Sequence, residues 1–238
     1  MISLLWHEVF YQPIYNLLIF FAGVFPRPDI GVAVVIVTVI VRLVIYPLSK
    51  KAIYTQIAIK KIQPELNKIK ETIKDRTEQS RKTLEVYKQN KVNPFSSFAV
   101  ILVQLPIILA LFKVFSHDLT VSSEILYGFI SPIESLDPLF LGFFDLTQKS
   151  MVLALLAAAS QAVHFFVMKI GQKEEKTNKE PSKEEFFRKT MERQMKFLAP
   201  IMIGFVSYAA GGVVALYFTV SSVFSALQEW YIRKNIKA

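Results

Sequence analysis

An arginine inside an apolar run is the most costly residue in this sequence, because a guanidinium at a helix centre in a bilayer costs about 2.5–3.5 kcal/mol on insertion scales. Arg42 lies in the run Ile30–Leu48, six positions before its end, which is roughly 9 Å at 1.5 Å rise per residue. Snorkelling to the surface is the ordinary escape. Helical side chains lean toward the N-terminus, however, and from Arg42 that direction leads deeper into the run. A polar, hydrated pocket would resolve the conflict. Other polar residues recur at helical spacing. Thr38, Arg42, Tyr46 and Ser49 fall on one face, and Tyr217, Ser221, Ser225 and Gln228 fall on another at spacings of 4, 4 and 3. Gln104 sits inside a third apolar run, and Ser160, Gln161 and His164 cluster in a fourth. Hydroxyl groups glue membrane helices, which accounts for any single serine. Taken with Arg42, Gln104 and Gln161, the set points to a shared polar groove.

The chemistry such a groove would perform is binding. There is no Gly-rich phosphate loop, no zinc-binding His motif and no pair of acids inside an apolar run. The chain has no cysteine, and His7, His117 and His164 lie far apart, so no disulfide, thiolate metal site or lipid-modified cysteine is expected. No catalytic, cofactor-binding or metal-binding residue is assigned. An arginine with no acid in its own run attracts an acidic or polar segment supplied by another molecule. A small solute transporter or channel is the alternative reading, but it predicts inverted repeats and intramembrane carboxylates, and neither is found.

The elements that position these residues follow from the distribution of charge. Hydrophobic residues make up 53% of the 238, and the charges fall in blocks between long apolar runs. Runs of about 18 or more apolar residues read as membrane spans. The expected organisation is an extracytoplasmic N-terminus 1–29, span 30–48, cytoplasmic helical hairpin 49–93, span 94–115 and extracytoplasmic loop 116–149. Span 150–170, cytoplasmic loop 171–196, a short span 197–210, span 213–230 and cytoplasmic tail 231–238 complete it. Asn93 and Pro94 read as the N-cap and first residue of the second span, and Gly211-Gly212 separates the last two. The fold class is therefore an all-α membrane protein with five spans around a hydrophilic groove.

Segments 49–93, 169–196 and 231–238 hold 24 of the 28 Lys and Arg residues, whereas 1–29 and 117–149 hold one each. Basic segments stay in the cytoplasm, so five spans place the N-terminus outside and the C-terminus inside. The pI near 9.6 thus reflects orientation rather than nucleic-acid binding as such. Met1–Glu8 carries no basic residue, so a secretory signal is not expected. Val9–Phe25 is apolar enough for a sixth span, but Pro13 and Asn16 interrupt it, and an interfacial helix on the outer leaflet is the preferred of the two readings. In the outer loop, Ile125, Leu126, Phe129, Phe140, Phe143 and Phe144 are expected at the membrane surface. Lys113 is expected to snorkel from the outer end of its span. In the hairpin, Ile53, Ile57, Ile62, Leu66, Ile69 and Ile73 form an amphipathic face, with a kink or restart at Pro64. Asp75-Arg76-Thr77 then makes the turn, and Leu84 and Tyr87 form a weaker apolar face. The charged segment 171–190 is expected to be flexible.

The order of several short motifs resembles the YidC/Oxa/Alb family of membrane-protein insertases, from about Gln12 to Arg233. They are Val41-Arg42-Leu43, Tyr46-Pro47-Leu48, Gln63-Pro64-Glu65, Tyr87-Lys88, Val92-Asn93-Pro94, Gln104-Leu105-Pro106-Ile107, Ala110-Leu111-Phe112, Gly212 and Ala215-Leu216-Tyr217. Phe95-Ser96-Ser97-Phe98 departs from the Gly-rich stretch usual after Asn-Pro, and Phe218 replaces the bulkier aromatic often found after Leu-Tyr.

The resemblance implies a five-helix core whose groove is open to the cytoplasm and to lipid, with the groove arginine at Arg42. It implies an insertase and chaperone that needs no nucleotide cofactor. The implied partners are nascent membrane proteins, the lipid bilayer and the ribosome, with ribosomal RNA contact through the basic segments, acting alone or beside the Sec translocon.

Overall fold

The computed structural model describes residues 6–115, 123–133, 135–169 and 183–236. The chain forms two compact units, residues 1–42 with 106–238 and residues 43–105.

The larger unit opens with a π-helical turn, His7–Tyr11, that runs into helix α1, Gln12–Gly23. Ile14, Tyr15, Asn16, Leu18, Ile19 and Ala22 of α1 are buried, while Phe20 is exposed. Asn16 is more than an interruption of the apolar pattern. Its Nδ2 donates to the carbonyls of Gln12 (2.8 Å) and Ile125 (2.9 Å), and its Oδ1 accepts from the Tyr127 N–H at 2.7 Å. One buried amide thereby fastens the segment around Ile125 and Tyr127 to α1 with its donors and acceptor used, as burial of a polar group demands.

Helix α2, Ile30–Val44, starts at Asp29, whose Oδ1 accepts from the N–H groups of Gly31 (2.7 Å) and Val32 (3.0 Å). Carboxylates favour this position because they satisfy the orphan donors of the first turn. The other oxygen of Asp29 accepts from the N–H of Leu141 at 2.8 Å. Leu141 belongs to the turn of a hairpin whose strands are β1, Leu139–Phe140, and β2, Phe144–Asp145. Leu141 and Gly142 have φ of 53° and 78°, which such tight turns require. A Cβ on Gly31 would meet the Phe140 ring at 2.3 Å. Only glycine admits that approach.

Three further helices complete this unit with the C-terminal part of α5, which is defined below. They are α6, Met151–Lys169, α7, Lys183–Ala210, and α8, Gly212–Ile236, and α6 packs against both α7 and α8. Gly211, at φ 101°, is the single non-helical residue between α7 and α8. The N–H groups of Gly212 and Val213 donate to the carbonyls of Gln148 (3.0 Å) and Leu146 (3.2 Å). The hairpin and the residues that follow it are thus joined by main-chain bonds to the first residues of α8 and, through Asp29, to the start of α2.

The smaller unit contains the hairpin of α3, Tyr46–Thr72, and α4, Arg76–Gln89, followed by the first part of α5, Ser96–Phe115. Ile62, Leu66, Val86 and Val92 form its buried cluster, flanked by Ala58, Ile59, Ile69 and Tyr87. The buried residue of α4 is Val86 rather than Leu84, which is exposed. Helix α3 continues through Pro64 instead of restarting there. The connection between the helices is residues 73–75, and Arg76 and Thr77 already belong to α4 rather than to the turn; Asp75 caps α4 by accepting from the Thr77 N–H at 3.1 Å.

The structure moves three expected boundaries. The first span does not run as one helix to Leu48, because the helix breaks at Ile45 (φ −84°, ψ 2°) and α3 begins at Tyr46. Pro47 has no N–H for the carbonyl four residues back, which explains the break. Helix α5 starts at Ser96, two residues after Pro94. Asn93 instead organises the preceding turn, accepting from the Phe95 N–H at 2.9 Å. Helix α7 begins at Lys183, so 183–190 is helical rather than loose, while 170–182 lies outside the described residues. Lys113 does more than snorkel, since its Nζ lies 5.1 Å from the Trp6 ring centroid and 4.6 Å from that of Tyr11. Both are cation–π distances.

Helices α6 and α8 are each long and apolar enough to cross a membrane, and α2 with α3 passes the same test together, as a broken span or a re-entrant loop. Leu102–Val114 and Phe197–Ala210 are shorter apolar helical stretches. Many large apolar residues remain exposed along them, among them Leu105, Leu109, Leu155, Phe166, Ile201 and Phe205. So large an apolar surface is that of a protein solvated by lipid. The chain is an all-α membrane protein apart from its short hairpin.

Candidate functional site

Arg42 stands in the last turn of α2, and its guanidinium reaches α8. Nε donates to Ser221 Oγ at 2.9 Å, and a second guanidinium nitrogen bonds the same hydroxyl. Ser221 is buried, and Tyr217, one helical turn earlier, lies beside both the hydroxyl and the charge. On α6, His164 is near enough to sense the positive charge of Arg42. Among the described residues no Asp or Glu forms an ion pair with Arg42. A cation held by neutral groups keeps donors available for an incoming anion or carbonyl, because a hydroxyl cannot neutralise it.

The other members of the α8 stripe support this arrangement. Ser225 donates to the carbonyl of Ser221 at 2.9 Å, and Thr38 donates to that of Val34 at 2.6 Å, one turn before Arg42. Both are hydroxyls turned back onto their own helix. Gln228 is buried, and its Nε2 has no hydrogen-bond partner among the described residues.

Gln161 also links two helices. Its Oε1 accepts from Ser222 Oγ at 2.8 Å, which ties α6 to α8 beside the Arg42–Ser221 bond. Gln104 belongs to the unit of residues 43–105 and is half-buried on α5. Tyr46 and Ser49 also belong to that unit, and the break at Ile45 ends the face they were expected to share with Arg42. The structure therefore brings Arg42, Ser221 and Tyr217 together, with His164 beside them.

Two features escaped sequence reasoning. Ser222 follows Ser221 directly and lies outside the 4-4-3 stripe. Glu229 and Arg233, both buried, pair along α8 with Arg233 Nε donating to Glu229 Oε1 at 2.7 Å. Their spacing of four, acid before base, is a helical ion-pair signature, and it was readable in the sequence. Among the described residues no group of three or more potential ligands could hold a metal ion.

Comparison with known proteins bears on the same residues. The family model of the 60Kd inner membrane protein matches residues 20–238. A protein of Oceanobacillus iheyensis named "Membrane protein insertase YidC" is 28% identical over 240 residues, covering 98% of this chain and 86% of that protein. One of the same name from Rickettsia africae is 27% identical over 231 residues, covering 96% of this chain. The chain spans only 39% of that longer relative. With a family match that takes in α2, the hairpin of α3 and α4, and all of α5 to α8, the chain belongs to the 60Kd inner membrane protein family, that of the YidC insertases.

Proposed function

We propose that the protein is a membrane-protein insertase and chaperone of the bacterial inner membrane. Five spans, with the N-terminus outside and the C-terminus in the cytoplasm, enclose a polar groove open to the cytoplasm and to lipid. The basic hairpin and loops meet the ribosome and the nascent chain, alone or beside the Sec translocon. The extracytoplasmic segment of the substrate enters the groove, where Arg42, Ser221, Tyr217, Gln104 and Gln161 lower its desolvation cost. The apolar segment leaves sideways into lipid, driven by about 25 cal/mol per Å² of apolar surface removed from water. Phe197–Ala210 spans about 21 Å at 1.5 Å per residue, so the bilayer beside it thins and the barrier falls.

The observation that carries this reading is a guanidinium between two helices, bonded to a neutral hydroxyl and without an acidic partner among the described residues. The relatives' name supports the same activity. The test is complementation in a bacterium depleted of its own insertase, with a photoreactive amino acid at Gln104 or Ser221. Rescue together with capture of a nascent membrane protein is the expected result. Failure of rescue with no proteinaceous adduct would return the chain to the transporter class.

A further inference from the structure

The outer hairpin ends in an apolar tip that the groove does not use. Leu141 and Phe143 are 61% and 84% exposed. Water penalises an uncovered aromatic and a leucine on a tight turn, and a loop tip in water is ordinarily polar. The run Pro138-Leu139-Phe140-Leu141-Gly142-Phe143-Phe144 contains no charge. The nearest acids are occupied in shaping the loop. Asp137 Oδ1 accepts from the Leu139 N–H at 2.9 Å, and Asp145 Oδ1 accepts from the Thr147 N–H (2.9 Å) and hydroxyl (2.6 Å).

The height of the tip is constrained by its attachments. Asp29, the cap of α2, accepts from the Leu141 N–H, and the carbonyls of Leu146 and Gln148 accept from the first N–H groups of α8. Both helix ends are therefore bonded to the hairpin, and both are the ends remote from the basic residues of their helices, Arg42, Arg233 and Lys234. In the orientation proposed above, on which this inference rests, these are the outer ends of two spans. The polar–apolar boundary of a bilayer lies at that level, where aromatic side chains concentrate.

We infer that the tip Leu141-Gly142-Phe143 is a lipid anchor that inserts Leu141 and Phe143 into the interface of the outer leaflet. The bond to Asp29 and the close contact of Phe140 with Gly31 transmit that anchorage to the start of α2, the helix that carries Arg42. The anchor therefore sets the depth at which α2 enters the membrane.

The absence of cysteine permits a clean test in the full chain reconstituted in phosphatidylglycerol–phosphatidylethanolamine vesicles. Spin labels are placed at Phe143→Cys, Leu141→Cys and, as a control, Lys149→Cys. At 143 and 141 the label should relax strongly with oxygen and weakly with a water-soluble nickel chelate, and the control should show the reverse. Nickel accessibility at 143 equal to that of the control overturns the anchor. So does protection from both reagents, which would mean that protein covers the tip. Orientation is checked separately by labelling Lys149→Cys in right-side-out membrane vesicles with an impermeant thiol reagent. If only inverted vesicles label, the topology is wrong, whatever the depth measured at 143.

Discussion

Arg42 and Ser221 stand 179 positions apart in the chain, yet one hydroxyl of α8 receives two nitrogens of the guanidinium of α2. Hydrogen bonds to charged groups contribute about 1.5–3 kcal/mol. Ser221→Ala should therefore lower the stability of the purified protein by about 1–2 kcal/mol, while Ser221→Thr should preserve most of it. Thermal unfolding in detergent measures both. Arg42→Ala should reduce insertion of a substrate with an acidic extracytoplasmic tail several-fold and affect a tail without charge much less. Equal insertion of both tails at the wild-type rate would remove the electrostatic part of the mechanism.

Asn16 should prove as important as any apolar core residue. Asn16→Leu matches its size but leaves the Tyr127 N–H and the Ile125 carbonyl without this partner. An unsatisfied buried polar group costs about 1–3 kcal/mol, so the variant should lose about 2–3 kcal/mol. Limited proteolysis from the outer side should then cut near 123–133 much faster than in the wild type. Unchanged cleavage would mean that other contacts hold the loop.

Gly31→Ala places a methyl group inside the Phe140 ring. Overpacking of this kind costs about 1–3 kcal/mol. Phe140→Ala alone is also destabilising, but the double variant should recover part of the loss, because the two residues are in contact and their effects do not add. A thermal-melt double-mutant cycle reads the coupling, and strict additivity would show that the hairpin moves aside freely.

The turn after β2 should loosen in acid. The Thr147 hydroxyl, followed by its N–H and the Gln148 amide, holds the Asp145 carboxyl below its ordinary value. A group whose folded pKa is depressed contributes stability above its unfolded pKa, near 3.9, and loses it as pH falls through the folded value. Protection against hydrogen exchange at Thr147 and Gln148, taken relative to the intrinsic rate at each pH, should fall below about pH 4. Thr147→Val should move the onset to higher pH. An onset that does not move would assign the protection to the main-chain bonds instead.

Much of the site was legible because the 3.6-residue period puts Tyr217, Ser221 and Ser225 on one face whatever the helix packs against. Arg42 stood out on cost alone. A stripe names a face, though, and not the residue opposite. The oxygen of Gln161 is taken up by Ser222, and nothing local to either residue announces that bond. Asn16 looked like a blemish in an apolar helix because its partners outside that helix, Ile125 and Tyr127, are more than 100 positions away. The limits of apolar runs differ from the limits of helices for a related reason. Hydropathy reports where lipid would begin, whereas α7 continues to Lys183 because backbone hydrogen bonds do not stop at a membrane surface. At Ile45 the reverse holds, since Pro47 ends a helix that hydropathy alone would have continued.

Gly211 leaves a single residue for the reversal between α7 and α8, and the first peptide groups of α8 are stitched to Leu146 and Gln148. The two helices therefore resemble a pair of compasses hinged at one end. Any widening between them grows with distance from Gly211 and is greatest where Arg233 and Lys234 emerge.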